Sequence, residues 1–198
     1  MKEPGSNPTI LVPGFAGGKT LFHPFRDDLR ARGIAAECWE LAPFVYRRRI
    51  AWYGELLAQT VAEHGDDGVT LVGWSMGGFV SVAAALEPSV RGRIRRVITF
   101  GTPWNGTWAA RIGVITDHVL RLHVREMRPG SPVIRGLIDG LGDRPWDFHA
   151  VNGTYDPLAR APMRALDPAW CHTGPWWHRS LLGDAGLFDL IHRLIKLP

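Results

Sequence analysis

Gly73-Trp74-Ser75-Met76-Gly77-Gly78 constrains this chain more than any other stretch. It follows the apolar run Val69-Thr70-Leu71-Val72 and opens a small-residue apolar pattern from Phe79 to Leu86. Strand, G-x-S-x-G and helix in that order make a nucleophile elbow. Such a serine stands at the tip of a tight strand-to-helix turn, in backbone geometry ordinarily kept for glycine. Its neighbours two places to either side must lack side chains, or the chain could not fold back so closely. A serine at the start of a helix also lies over the positive end of the helix dipole.

The rest of the chain supplies a frame for such a turn. Thr9-Ile10-Leu11-Val12 reads as a short buried strand, and a helical pattern follows through Phe22, Phe25 and Leu29 to a stop near Gly33. Residues 34–41 read as a second strand, and 49–64 as a helix with apolar positions at Ile50, Tyr53, Leu56, Leu57 and Val61. After the elbow come a strand over 96–100, an interrupted helical stretch over 104–145, and strands at 148–152 and 169–172. Asp117 and Ser131 are candidate helix caps, the latter ahead of Pro132 in a first turn. An amphipathic helix through Leu187, Leu190, Ile191, Leu194 and Ile195 closes the sequence. Short apolar strands alternating with helices predict a mostly parallel central sheet of about six strands, covered on both faces. Residues 1–198 are expected to form a single α/β domain, with a small helical cap within 104–145.

Composition sets the outer limits. Apolar content of 45% and charged content of 21% fit a globular chain of ordinary core size. The net charge of +4 gathers at Arg47-Arg48-Arg49 and between Arg91 and Arg96, without a reading motif for nucleic acid beside it. Both groups are expected to be solvated surface. No stretch reaches the length of a membrane span, and the first residues carry no apolar run, so a cytoplasmic location is expected. Cys38 and Cys171 are expected to be free thiols. Histidines and carboxylates lack metal-ligand spacing, so neither a metal nor a cofactor is expected.

A serine hydroxyl needs a base to take its proton, and the base needs a third group to hold it. In sheets bearing this elbow the order along the chain is Ser, then Asp or Glu, then His. Asp156 follows the strand at 148–152 at the correct sheet edge; by its residues alone it fits either that acid or an ordinary turn aspartate before proline. Asp139, Asp143, Asp147 and Asp167 are the alternatives for that acid, and most of them read as turn or cap residues. Of the histidines that follow, His172 falls at a strand end and His178 in a loop that can reach both Ser75 and Asp156. The remaining histidines read as packed or surface residues. Oxyanion donors are expected from the Met76 N–H and from the Pro13-Gly14-Phe15-Ala16-Gly17 loop, with the Phe15 N–H favoured.

Together these stretches resemble the α/β-hydrolase superfamily, in particular its compact bacterial lipase and esterase branch, over nearly the whole chain. Val12-Pro13-Gly14-Phe15 is similar to the oxyanion loop, Thr99 to Gly106 to the "GTPHxG" segment, and Arg125 to Pro132 to the "L-x-P-G-S" stretch. Gly153 to Leu158 is similar to the acid loop, and His178-Arg179-Ser180-Leu181-Leu182 to the "GHxxLL" segment. The resemblance implies ester hydrolysis by Ser75, Asp156 and His178. Thioester hydrolysis, acyl transfer and a catalytically silent binding scaffold are the alternatives. The chain departs from the pattern at Pro13-Gly14 for His-Gly, at Trp74 for histidine, and at Trp177 for glycine. Of its nine tryptophans, Trp74, Trp104, Trp108 and Trp177 stand on site-facing loops and are expected to contact a small-molecule ester or lipid.

Overall fold

The computed structural model describes residues 7–15, 19–39, 48–64, 68–112, 124–178 and 183–198. Six strands, β1 (Thr9–Val12), β2 (Ala36–Cys38), β3 (Val69–Trp74), β4 (Ile94–Phe100), β5 (Asp147–Gly153) and β6 (Cys171–Gly174), form one sheet. Its order is β2-β1-β3-β4-β5-β6 and every pairing is parallel. The helices are α1 (His23–Ala31), α2 (Ile50–Glu63), α3 (Met76–Ala85), α4 (Ala109–Ile112), α5 (Pro132–Gly140) and α6 (Ala185–Lys196).

Period-two alternation along the strands divides the core between two faces. Ile10, Val12, Val69, Leu71, Val97, Phe148 and Ala150 meet α2, α3 and α5 on one face. Leu11, Val72, Ile98, Phe100 and Val151 meet Phe25 and Leu29 of α1 and Leu187, Ile191 and Leu194 of α6 on the other. Helix α3 is buried at all ten positions, as a run of glycine, alanine and valine between sheet and α2 requires. The chain leaves β1 for the edge at β2 and returns past β1 to β3. This reversal opens a crevice at the carboxyl ends of the strands, where ligands of such sheets bind.

The expected elements are present with three corrections, besides a shift of the last strand from 169–172 to Cys171–Gly174, because Pro168–Trp170 form a 3-10 turn ahead of it. The second strand is only three residues long and sits at a sheet edge; Leu41 lies outside the described residues. Within 104–145, α5 buries Ile134 and Leu137 against α3, so it belongs to the layer covering the sheet and not to a cap. Residues 113–123, with Asp117, lie outside the described set. Ser131 does cap α5, its hydroxyl accepting from the Val133 N–H at 3.2 Å.

Arg96 is the third correction, since it is fully buried and not surface. It stands on the inner strand β4 between Thr70 and Asp147. Its guanidinium bonds Asp147 at 2.6 Å and donates to the carbonyls of Leu194 and Ile195 at 2.8 and 3.0 Å. A cation thus meets the carbonyls that the last turn of α6 cannot satisfy within the helix. Cys38 and Cys171 are both free. They lie on opposite edge strands, five spacings of about 4.8 Å apart, beyond the reach of a disulfide.

Candidate active site

Ser75 stands between β3 and α3 with φ 53° and ψ −123°, alone among the described non-glycine residues in having positive φ. Such geometry costs about 1–3 kcal/mol and persists only where surroundings impose it. Here the Ser75 N–H donates to the Phe100 carbonyl of β4 at 2.9 Å. The Ser75 carbonyl accepts from the Thr102 hydroxyl at 2.9 Å and from the Gly78 N–H at 3.1 Å. The motif glycines permit the turn: a Cβ on Gly77 would lie 2.2 Å from the Val12 carbonyl oxygen, and one on Gly73 2.5 Å from that of Gly77.

Asp156 follows β5 and is fully buried. One carboxylate oxygen accepts from the N–H groups of Leu158 and Ala159 at 2.8 and 2.9 Å, as a turn aspartate would. The other lies 2.7 Å from Nδ1 of His178. Both sequence readings of Asp156 are therefore realised, one on each oxygen. Nε2 of His178 lies 3.1 Å from the Ser75 hydroxyl. A carboxylate facing Nδ1 holds the proton there, which leaves Nε2 to accept from the serine.

The loop carrying His178 is tied down by its neighbour Trp176. A Cβ on Gly174 would fall 2.5 Å from the Trp176 ring, and one on Gly153 would fall 2.0 Å from its carbonyl oxygen. The Trp176 indole N–H donates to Asp184 at 3.1 Å, and the same Asp184 oxygen caps α6 through the Leu187 N–H. Residues 179–182 lie outside the described set. Trp74 lies behind the imidazole, ring centroids 5.3 Å apart and 34° between planes.

Gly14 brings the first loop against the elbow, since a Cβ there would meet that of Ser75 at 2.8 Å. Phe15 is half-buried beside this contact, Met76 is buried directly after Ser75, and 16–18 lie outside the described residues. The four tryptophans separate. Trp104 is 1% exposed, packed edge-on against Phe79 and Phe148 with its indole N–H on the Thr99 hydroxyl at 3.2 Å. That is a core position and not a pocket wall. Trp74 is buried, whereas Trp108 and Trp177 are more than half exposed, and Trp177 stacks on Tyr155 at 6.0 Å.

The other candidate acids and bases are engaged elsewhere or exposed. His172 lies 3.2 Å from His149 across β5 and β6, and burial, with the neighbouring imidazole, pushes His149 down to about 4. Asp147 bonds Arg96, Asp167 caps a turn, and Asp139 and Asp143 are exposed. Sequence reasoning missed Thr102, Asn152 and Tyr155. Thr102 lay within the segment 99–106 already singled out, but nothing in its neighbours marks a hydroxyl aimed at a backbone carbonyl.

Among the described residues no group of three or more His, Cys, Asp or Glu side chains could hold a metal ion. No helix among them is long and apolar enough to cross a membrane. No protein-family model matches the chain, and no curated protein matches it in sequence. Solved structures do match its fold. Mature lipase BlEst2 of Bacillus licheniformis superposes with a TM-score of 0.78 at 18% identity, covering 100% of this chain and 95% of that one. Lipase B of Aspergillus fumigatus gives 0.73 at 18%, covering 98% of this chain and 54% of that one. A putative aryl esterase from Burkholderia cenocepacia gives 0.67 at 14%, covering 98% and 91%. The chain has the α/β-hydrolase fold.

Proposed function

We propose that this protein is a serine carboxylic-ester hydrolase of lipase or esterase type that works through an acyl-enzyme on Ser75. The observation that carries this reading is the hydrogen-bonded run from the Ser75 hydroxyl through His178 to buried Asp156. In this mechanism the Ser75 oxygen attacks the ester carbonyl while its proton passes to Nε2 of His178. Asp156 keeps the imidazole in the accepting tautomer and stabilises the imidazolium that forms. The N–H groups of Met76 and Phe15 bind the oxyanion. Collapse of the tetrahedral intermediate breaks the bond to the alcohol oxygen, which leaves with the proton from Nε2. Water, deprotonated by the same nitrogen, then attacks the acyl-serine; collapse of this second intermediate breaks the bond to the Ser75 oxygen, which regains the proton from Nε2, and releases the acid.

The site asks for no cofactor in this scheme. Exposed Trp108 and Trp177, the latter stacked on Tyr155, offer apolar contact for the acyl or alcohol part of a small-molecule ester or lipid. The neighbours named as lipases and esterases agree with this substrate class. The test is Ser75→Ala assayed on p-nitrophenyl esters of increasing chain length. Hydrolysis is expected to vanish with folding intact, together with covalent labelling by a fluorophosphonate. Full activity in that variant rejects the mechanism.

A further inference from the structure

The elbow carries one glycine more than its turn requires. Gly73 and Gly77 complete G-x-S-x-G, yet Gly78 follows, inside α3. A Cβ on Gly78 would fall 2.0 Å from the Thr102 hydroxyl oxygen and 3.0 Å from the Cβ atoms of Thr102 and Thr99. No hydroxyl could keep its place against such an atom. Gly78 therefore leaves room for Thr102, a fully buried residue that donates to the Ser75 carbonyl at 2.9 Å.

That carbonyl and the Met76 N–H belong to one planar trans peptide, so they point in opposite directions. Whatever fixes the carbonyl also fixes the N–H. Met76 opens α3, and an N–H in the first turn of a helix has no acceptor within the helix. It is available to an anion. Thr102 is itself held: its carbonyl accepts from the Asn152 side-chain amide at 2.9 Å and from the Trp104 N–H at 2.9 Å. Asn152 is buried on β5, four residues before Asp156.

We propose that Thr102 is a positioning residue for the oxyanion donor. Its hydroxyl grips the Ser75 carbonyl from below and thereby aims the Met76 N–H at the developing negative oxygen. Asn152 keeps Thr102 in register with the strand that bears the acid. This inference rests on the hydrolase reading of Ser75. It adds a residue that touches neither substrate nor imidazole.

Thr102→Val keeps the volume and removes the donor; Thr102→Ser keeps the donor. Removal of an oxyanion donor outright slows catalysis by about a hundred- to a thousandfold, so a loosened donor is expected to cost about tenfold in kcat. KM should stay within about twofold, because a contact formed only in the transition state is affected. Affinity for a boronic acid that forms a tetrahedral adduct on Ser75 should fall by about the same factor as kcat. Thr102→Ser should recover kcat to within about threefold of the parent. Should Thr102→Val fail to fold, Thr102→Cys against Thr102→Ser makes the comparison, since they differ only in sulfur for oxygen. A kcat within about threefold of the parent in the donor-free variant, even with a lowered urea midpoint, overturns the proposal. So does a loss confined to KM. An unsubstituted protein inert to fluorophosphonate sinks the hydrolase reading itself, whereas equal labelling and turnover in all variants sinks only the role of Thr102.

Discussion

Replacing Asp156 by asparagine separates the catalytic role proposed for this side chain from its part in the fold. Asp156 is fully buried and makes three hydrogen bonds, two from the Leu158 and Ala159 N–H groups and one from His178. Asparagine has one oxygen, and two backbone donors at 2.8 and 2.9 Å claim it. Its NH₂ must then face Nδ1 of His178, which can only accept from it. The imidazole proton is driven to Nε2, and the nitrogen facing the Ser75 hydroxyl becomes a donor that can no longer remove a proton. On that logic Asp156→Asn lowers kcat by about 10⁴-fold while leaving the backbone bonds of the turn in place. Asp156→Ala abandons the buried Ala159 N–H and the part-buried Leu158 N–H instead, and should cost stability by about 2–4 kcal/mol as well as activity. Turnover of a p-nitrophenyl ester and a urea unfolding curve, run on both variants, decide the matter. If Asp156→Asn retains activity within about tenfold of the parent, the argument from the tautomer is wrong and another group orients His178.

Two further expectations follow from other parts of the molecule. The positive φ of Ser75 is strained for any residue but glycine, so Ser75→Gly should raise stability by about 1 kcal/mol in urea unfolding while abolishing hydrolysis. The pair His149 and His172 should make the protein acid-sensitive. His149 is held down to about 4 first by burial and next by His172, with Arg96 and Arg144 adding to the repulsion and Asp147 opposing it. An unfolded histidine takes its proton near 6.5, so below that pH the unfolded chain binds more protons than the folded one. Stability is therefore complete above about 6.5 and drains away as pH falls toward 4. The loss is on the order of 2 kcal/mol, discounted because the ring is only half-buried. His149→Phe should flatten the urea midpoint against pH across that window; an unchanged slope refutes the assignment.

The elements that sequence made legible are those whose reason is local. The elbow shows itself because a strained serine must be flanked by residues without side chains, and that requirement is written as spacing. The amphipathic face of α6 shows itself as a period. Arg96 did not, because its partners are the carbonyls of a helix about a hundred residues away, and a cluster of arginines near a turn reads as surface unless the strand register is known. Trp104 misled for a related reason. It follows a site-facing strand end, but the Trp104 N–H bonds back to the Thr102 carbonyl and the ring folds under the sheet edge, between Phe79 and Phe148. Position along the chain located its backbone and not its ring. Asp156 and His178 lay between these extremes: their order after Ser75 was readable, while the distances between them depend on β5 and β6 being neighbours.

That adjacency is what ties the site together. Ser75 is held by β4, through the Phe100 carbonyl and Thr102, although it belongs to the turn after β3. Asp156 and His178 come from the ends of β5 and β6, where Gly153 lets the Trp176 backbone approach. Asn152 on β5 reaches across to Thr102 after β4, so the acid-bearing strand and the serine-bearing turn share one buried link. Each of these contacts is made through backbone or through small side chains. Such contacts constrain the spacing of strands and the size of a few residues, but leave most side chains at liberty. A sheet edge built this way can keep its geometry while the rest of the sequence changes.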